Sequence, residues 1–156
     1  MNSKSANAST MRGRRGARRL AVQAIYQSLM AGGDAPALVN EFVRERAADD
    51  MDQTYFRELV TDVLNDRAAL DALLQPELDR PADGIDPVEH AILLVGACEL
   101  RDRSELAISI VINEAVELAK TFGADNGHRF VNGVLDHLAA GLRPDESKRR
   151  EGGNRG

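Results

Sequence analysis

The sequence predicts an all-α fold, a single domain of about seven helices, and three observations support this. Aromatic residues make up only 4% of the 156 residues, with no Trp, so a core must be built mainly from Leu, Ile, Val and Ala. Apolar residues recur at helical spacing in one segment after another, and no convincing period-two alternation predicts a strand. Short connections between these segments favour a helical bundle.

The first half of the chain contains four predicted helical segments. The first runs from about Ala17 to Ala31, and arginines precede it and enter its first turn. Pro36 can open a second helix, because proline is well placed at the first helical position. A third helix starts near Asp52, and a fourth segment follows a break near Asn65-Asp66.

The second half begins with the clearest start signal, Asp86-Pro87-Val88-Glu89, in which Asp86 can cap the free amides and Glu89 can reach back. The helix that follows, to about Leu100, is apolar nearly all round, which predicts a central place in the bundle. Ile108 to Phe122 begins with β-branched residues but keeps helical spacing, and a last helix runs from about Asn126 to Gly141.

Charge is distributed unevenly along the chain. The net charge is −5, but residues 1–19 contain six basic residues and no acid, whereas residues 20–142 contain nine basic and 22 acidic residues. We predict a disordered basic arm at 1–13, a helical domain at 14–143 and a disordered tail at 144–156. A basic arm attracts an anionic partner, and an acidic body suits a basic one.

Several function classes lack their sequence signatures. The chain has no metalloprotease, nucleophile-elbow, P-loop or dinucleotide-binding motif, and its three histidines lack paired metal-ligand spacing. We therefore expect no enzyme activity, no metal and no cofactor. The single Cys98 fits a buried residue in a reducing compartment. No apolar run reaches bilayer-spanning length and no signal peptide is evident, which predicts a cytoplasmic protein with no membrane partner.

The basic cluster from Arg12 to Arg19 is the main candidate for nucleic-acid binding. Arginine forks grip phosphate in two bonds and stack on bases. Arg14 or Arg15 with Arg18 would stand one helical turn apart if the helix extended back that far. The alternative is an arm that aids solubility or folds back on the acidic body.

A second candidate is the start of the last helix, Asp125 to Gly133. Arg129 and Phe130 could supply a phosphate contact and a stacking ring, although Phe130 could equally belong to the core. Asn113-Glu114, inside a largely apolar helix, is interpreted first as a structural clamp between helices and only second as a site.

Four segments together resemble the NusB family of transcription antitermination factors. They are the arginine-rich stretch from Arg14 to Tyr26, and the motifs Tyr55 to Val60, Val111 to Gly123 and Phe130 to Asp136. They occur in the family's order, and the similarity spans roughly residues 14–144. The resemblance implies two packed helical subdomains.

The resemblance also implies a function. Family members bind the single-stranded boxA segment of nascent RNA jointly with the ribosomal protein NusE, and the pair joins an RNA polymerase antitermination complex. The implied RNA-binding residues are Arg14, Arg15, Arg18, Gln23, Asn126, Arg129 and Phe130. Glu89 is implied to lie on the surface that meets NusE.

The sequence departs from the family pattern at four positions. Gly16 stands where many members have another basic residue, and Leu94, Cys98 and Ala107 replace the family's usual Arg, aromatic and Pro. Two rival interpretations stay open. One is a non-catalytic helical RNA-binding domain related to ribosomal RNA cytosine methyltransferases; the other is a structural homo-oligomer, and a homodimer is compatible with the family function as well.

Overall fold

The computed structural model describes the backbone of residues 3–153 and the side chains of residues 10–152. Its α-helices, in chain order, are α1 (Ser3–Ala31), α2 (Ala35–Arg46), α3 (Gln53–Asn65), α4 (Arg67–Leu74), α5 (Pro87–Asp102), α6 (Ile108–Phe122), α7 (Gly127–Leu142) and α8 (Pro144–Gly153). Two 3-10 turns, Gln75–Glu77 and Ala82–Gly84, lie between α4 and α5. Residues 3–153 contain no strand, so the predicted all-α class is confirmed.

The chain divides into two compact units, with the boundary between Asp66 and Arg67. In unit 1, α3 packs against both α1 and α2. In unit 2, α5 packs against α4, α6 and α7. Every residue of α5 from Glu89 to Leu100 is buried, which confirms that this helix is central to its unit.

Aspartates begin three of the helices, and the sequence pattern predicts this capping role for Asp86. The carboxylate of Asp34 accepts a hydrogen bond from the Ala37 amide, and that of Asp52 accepts one from the Tyr55 amide, both at 2.9 Å. Asp86 accepts from the amide of Glu89 at 3.2 Å. Each bond satisfies an amide that has no partner within its own helix.

The first helix begins well before its predicted start. Sequence alone predicted a start near Ala17 and a disordered segment before residue 14, whereas α1 is helical from Ser3. A long-range contact lies within this extension: the Asp52 amide donates to the Gly13 carbonyl at 3.1 Å, and Gly13 is buried. Residues 1–2 of the predicted arm lie outside the described residues.

The tail at 144–156, predicted to be disordered, instead forms helix α8 as far as Gly153. Residues 154–156 lie outside the described residues. Pro144 occupies the first position of the helix, and Asp145 and Glu146 lie in its first turn, where carboxylates favour the helix dipole. Ser147 is buried, so this helix is packed against the unit rather than solvated. Contacts between α7 and α8 hold it there.

Residues 3–153 lack two features. None of the helices in this range combines the length and the apolar character that crossing a membrane requires. No group of three or more His, Cys, Asp or Glu side chains in the same range is arranged to hold a metal ion.

Candidate nucleic-acid interface

The arginines of α1 separate into an outward set and an inward set. Arg12, Arg15 and Arg19 are exposed, and their spacing of three and then four residues places them on one face of the helix. We call these three residues the arginine row. Three guanidinium groups in line along a helix give an anionic strand successive points of contact.

Arg14 and Arg18 point inward and flank the ring of Tyr55 on α3. The guanidinium carbons lie 4.8 Å and 5.5 Å from the ring centroid, respectively. Arg18 is only 3% exposed, and the Nε atom of Arg14 is buried without a hydrogen-bond partner among the described residues. Since Tyr55 is itself buried, these contacts hold α1 against α3 within unit 1.

Gln23 lies one turn beyond Arg19 on the same face of α1. Its side-chain NH₂ donates to the Arg19 carbonyl at 3.4 Å, and its Oε1 accepts from Nη1 of Arg46 at 3.5 Å. Arg46, the last residue of α2, also places its guanidinium 4.7 Å from the centroid of the Phe42 ring. Sequence alone contains no signal for Arg46, because 23 residues separate it from Gln23.

These side chains border an open cavity of about 230 Å³ within unit 1. Its lining residues are Gly16, Arg19, Leu20, Gln23, Arg46, Ala48, Asp50 and Met51. The polar lining residues are Arg19, Gln23, Arg46 and Asp50, so a charged group in the cavity would meet two guanidinium groups.

In unit 2, the predicted site at the start of α7 is built on an unusual turn. Asn126 adopts the left-handed conformation, with φ of 66°, and its side chain makes no capping hydrogen bond to the helix. Gly127 follows and is buried, and a Cβ atom at this position would collide with the Glu89 carboxylate. Glycine at position 127 therefore leaves room for the Glu89 side chain, which a larger residue would have to displace.

Arg129 and Phe130 differ in exposure. Arg129 is exposed, whereas Phe130 is half-buried and lines a second cavity of about 230 Å³. Three carboxylate residues and one arginine border that cavity with it, and the full lining is Asp79, Arg80, Ile85, Asp86, Glu89 and Phe130. Phe130 is thus neither a fully buried core residue nor an isolated surface ring, and its surroundings are acidic.

Glu89, predicted to face a protein partner, is only 9% exposed and lines this acidic cavity. Burial, followed by the nearby Asp86 carboxylate, raises the pKa of Glu89 above its ordinary value. The carboxylate is therefore accessible only to a group that enters the cavity, and a cation entering it would relieve the cost of keeping it charged.

Three of the four departures from the family pattern have structural explanations. Leu94 and Cys98 are fully buried in α5, so they affect packing and present no surface. Ala107 precedes α6 without a side-chain cap, and the Glu146 carboxylate replaces one by accepting from the Ile108 amide at 2.8 Å.

The interpretation of Asn113 as a buried structural clamp between helices is wrong, because Asn113 is exposed.

Comparison with known proteins gives a consistent result. The family model described as the NusB family matches residues 15–140. The chain is similar to the transcription antitermination protein NusB of Shewanella oneidensis, with 50% identity over 127 residues, which cover 81% of this chain and 95% of that protein. The corresponding protein of Shewanella loihica is 46% identical over the same length and coverage.

Solved structures agree with the sequence relatives. A crystal structure of the antitermination factors NusB and NusE in complex with dsRNA superposes with a TM-score of 0.75 at 27% identity, covering 84% of this chain and 98% of that chain. NusB of T. maritima superposes with a TM-score of 0.75 at 25% identity, covering 87% and 96%.

Proposed function

The chain belongs to the NusB family, and from this premise we propose that it is a transcription antitermination factor that binds the boxA segment of nascent RNA together with the ribosomal protein NusE. It acts by binding alone, with no reaction of its own, and joins the RNA polymerase antitermination complex in the cytoplasm. The observation that supports this most directly is the arginine row on α1.

The proposed RNA contacts lie in both units. In unit 1 they are the arginine row and Gln23, because these groups line one face of α1. In unit 2 they are the side-chain amide of Asn126, which makes no capping hydrogen bond to α7, and the guanidinium of the exposed Arg129. A relative solved with NusE and dsRNA supports an RNA ligand for this family.

The proposed NusE contact is the acidic cavity of unit 2, which Glu89 and Phe130 both line. A basic side chain of the ribosomal protein would be attracted by three carboxylates and would pack its aliphatic part against the ring. This role for Phe130 differs from base stacking, and it follows from the acidic lining, which disfavours a phosphate.

The RNA interface is tested by Arg15→Ala. We expect affinity for a boxA oligonucleotide to fall about three- to tenfold at moderate salt, because one phosphate contact is lost. The slope of log affinity against log salt should fall by about one for the same reason. Titrations of labelled single-stranded RNA, with and without NusE and with a duplex competitor, measure both quantities.

Arg44→Ala is the matched control for that titration. Arg44 is exposed in the last turn of α2 and pairs with Glu45, so its loss changes the net charge equally without touching α1. If Arg15→Ala binds RNA as tightly as Arg44→Ala, the arginine row is not the interface and the proposal fails.

The protein interface is tested by Glu89→Gln, which we expect to weaken NusE binding about tenfold by removing a partly desolvated charge. Because folding raises the pKa of Glu89, its stabilisation is complete below the ordinary carboxyl pKa and is lost as pH rises through the raised value. The neutral Gln should therefore unfold less readily than wild type at pH 7, and this advantage should shrink near pH 4.

Binding calorimetry with NusE and thermal melts at both pH values measure these effects. Glu105→Gln removes an exposed carboxylate of unit 2 that lies outside the cavity, and serves as the control. Equal NusE affinities for the two variants would exclude the cavity as the contact.

A further inference from the structure

We propose that the cavity bordered by Arg19, Gln23 and Arg46 is a subsite for one nucleotide of the bound RNA, with Arg46 and Arg19 holding its phosphate. This rests on the proposed RNA-binding function and extends it to α2, which contributes none of the contacts predicted from the sequence. The ligand class is a ribonucleotide phosphate within a strand, not a free metabolite.

The position of the cavity supports this assignment. Arg12, Arg15, Arg19 and Gln23 succeed one another at intervals of three or four residues, so a strand following this face of α1 arrives at Gln23. The cavity opens at that point, with Arg19 and Gln23 in its lining. A strand held by the arginine row would therefore meet the cavity next.

The guanidinium of Arg46 is already held in place. It lies over the buried Phe42 ring at 4.7 Å and donates to Gln23 at 3.5 Å, although the residue is exposed. Because the side chain is fixed by two contacts, less conformational entropy is lost when it binds a phosphate. Its remaining nitrogens can donate to phosphate oxygens, for which a planar fork is well suited.

The shape and charge of the cavity are also suitable. Gly16 lines it without a side chain, which leaves space beside Met51 that a larger residue would fill. The ionisable lining residues are two arginines and Asp50, so the balance is positive. The Asp50 carboxylate would repel a phosphate, so removing the charge of Asp50 should strengthen RNA binding.

Arg46→Ala and Asp50→Asn test the subsite with opposite expected signs. We expect Arg46→Ala to weaken boxA affinity about fivefold and reduce the salt slope by about one, and Asp50→Asn to strengthen affinity about twofold. Arg44→Ala, with the same charge change two residues earlier, should reproduce the wild-type affinity to within about 1.5-fold. Circular dichroism verifies that each variant is folded at the titration temperature.

A second measurement distinguishes a local contact from a general charge effect. The oligonucleotide is shortened by one nucleotide at a time from each end. Wild-type affinity should drop at the length at which no nucleotide reaches the cavity, and Arg46→Ala should show no such drop. If Arg46→Ala and Arg44→Ala are equivalent while Arg15→Ala is impaired, the subsite is wrong and the RNA-binding function stands. If wild type binds no RNA, the proposed function itself fails.

Discussion

Replacing Arg143 with Met should lower the free energy of unfolding by about 3–5 kcal/mol. Its side chain donates to four backbone carbonyls at distances of 2.5 to 3.2 Å and to the Glu146 carboxylate at 3.1 Å. The accepting carbonyls belong to Glu99, Leu100, Arg103 and Leu106. These groups end α5 and lead into α6, and without Arg143 each of them loses a side-chain donor in a largely buried place, although the carbonyls of Glu99 and Arg103 still accept from the amides of Arg103 and Leu106.

Chemical denaturation followed by circular dichroism measures the loss, since the midpoint falls while the slope reports whether unfolding remains cooperative. Arg150→Met is the matched control, because Arg150 makes one ion pair with Asp136 at the surface. We expect that control to cost less than about 1 kcal/mol. Equal costs for the two variants would show that the carbonyl network contributes nothing beyond an ordinary ion pair.

Acid provides a second readout of the same network. The hydrogen bond from the Ile108 amide, with help from Arg143, lowers the pKa of Glu146 below its ordinary value. The stabilisation from a lowered carboxyl pKa is present above the unfolded pKa and is lost as pH falls through the folded one. Wild type should therefore lose stability on acidification below about pH 4.5, and Arg143→Met should lose less.

The helices were predictable because their signals are local. The start of α5 is encoded by Asp86-Pro87, and the break after α3 by Asn65-Asp66, so both appear where the sequence placed them. Helix α8 was not predictable, because the residues that anchor it bond to groups 37 to 44 positions away along the chain. A tail of small and charged residues is typical of a solvated segment, and the contacts of Arg143 and Glu146 that connect three helices are not visible in the sequence.

The candidate site was predictable only in part, for the same reason. The sequence identified the arginine cluster but not which arginines face outward, since that depends on whether α1 extends to residue 12. The helical period held a usable signal: Arg14 and Arg18 fall in line with Ala17 and Ala21, which are buried. Arg46 gave no signal at all, because its place beside Gln23 depends on how α2 packs against α1.

Arg18→Ala should separate a structural arginine from an RNA-binding one. Arg18 is 3% exposed and lies 5.5 Å from the Tyr55 ring centroid, so we expect its loss to lower the free energy of unfolding by about 2–4 kcal/mol. The same substitution at exposed Arg15 should change stability by less than about 0.5 kcal/mol. RNA affinity should show the opposite pattern, with a larger loss for Arg15→Ala than for Arg18→Ala, when both variants are measured at a temperature where they are fully folded.

The opposite pattern follows from access, because a phosphate cannot reach a guanidinium that is packed between α1 and a buried tyrosine. A double-mutant cycle with Tyr55→Leu isolates the ring contact, and a coupling of about 0.5–2 kcal/mol is expected for a partly desolvated cation over an aromatic face. Should Arg18→Ala leave stability unchanged and weaken RNA binding as much as Arg15→Ala does, Arg18 contacts the transcript directly. The inward set would then belong to the interface, and α1 would have to turn or open to present it.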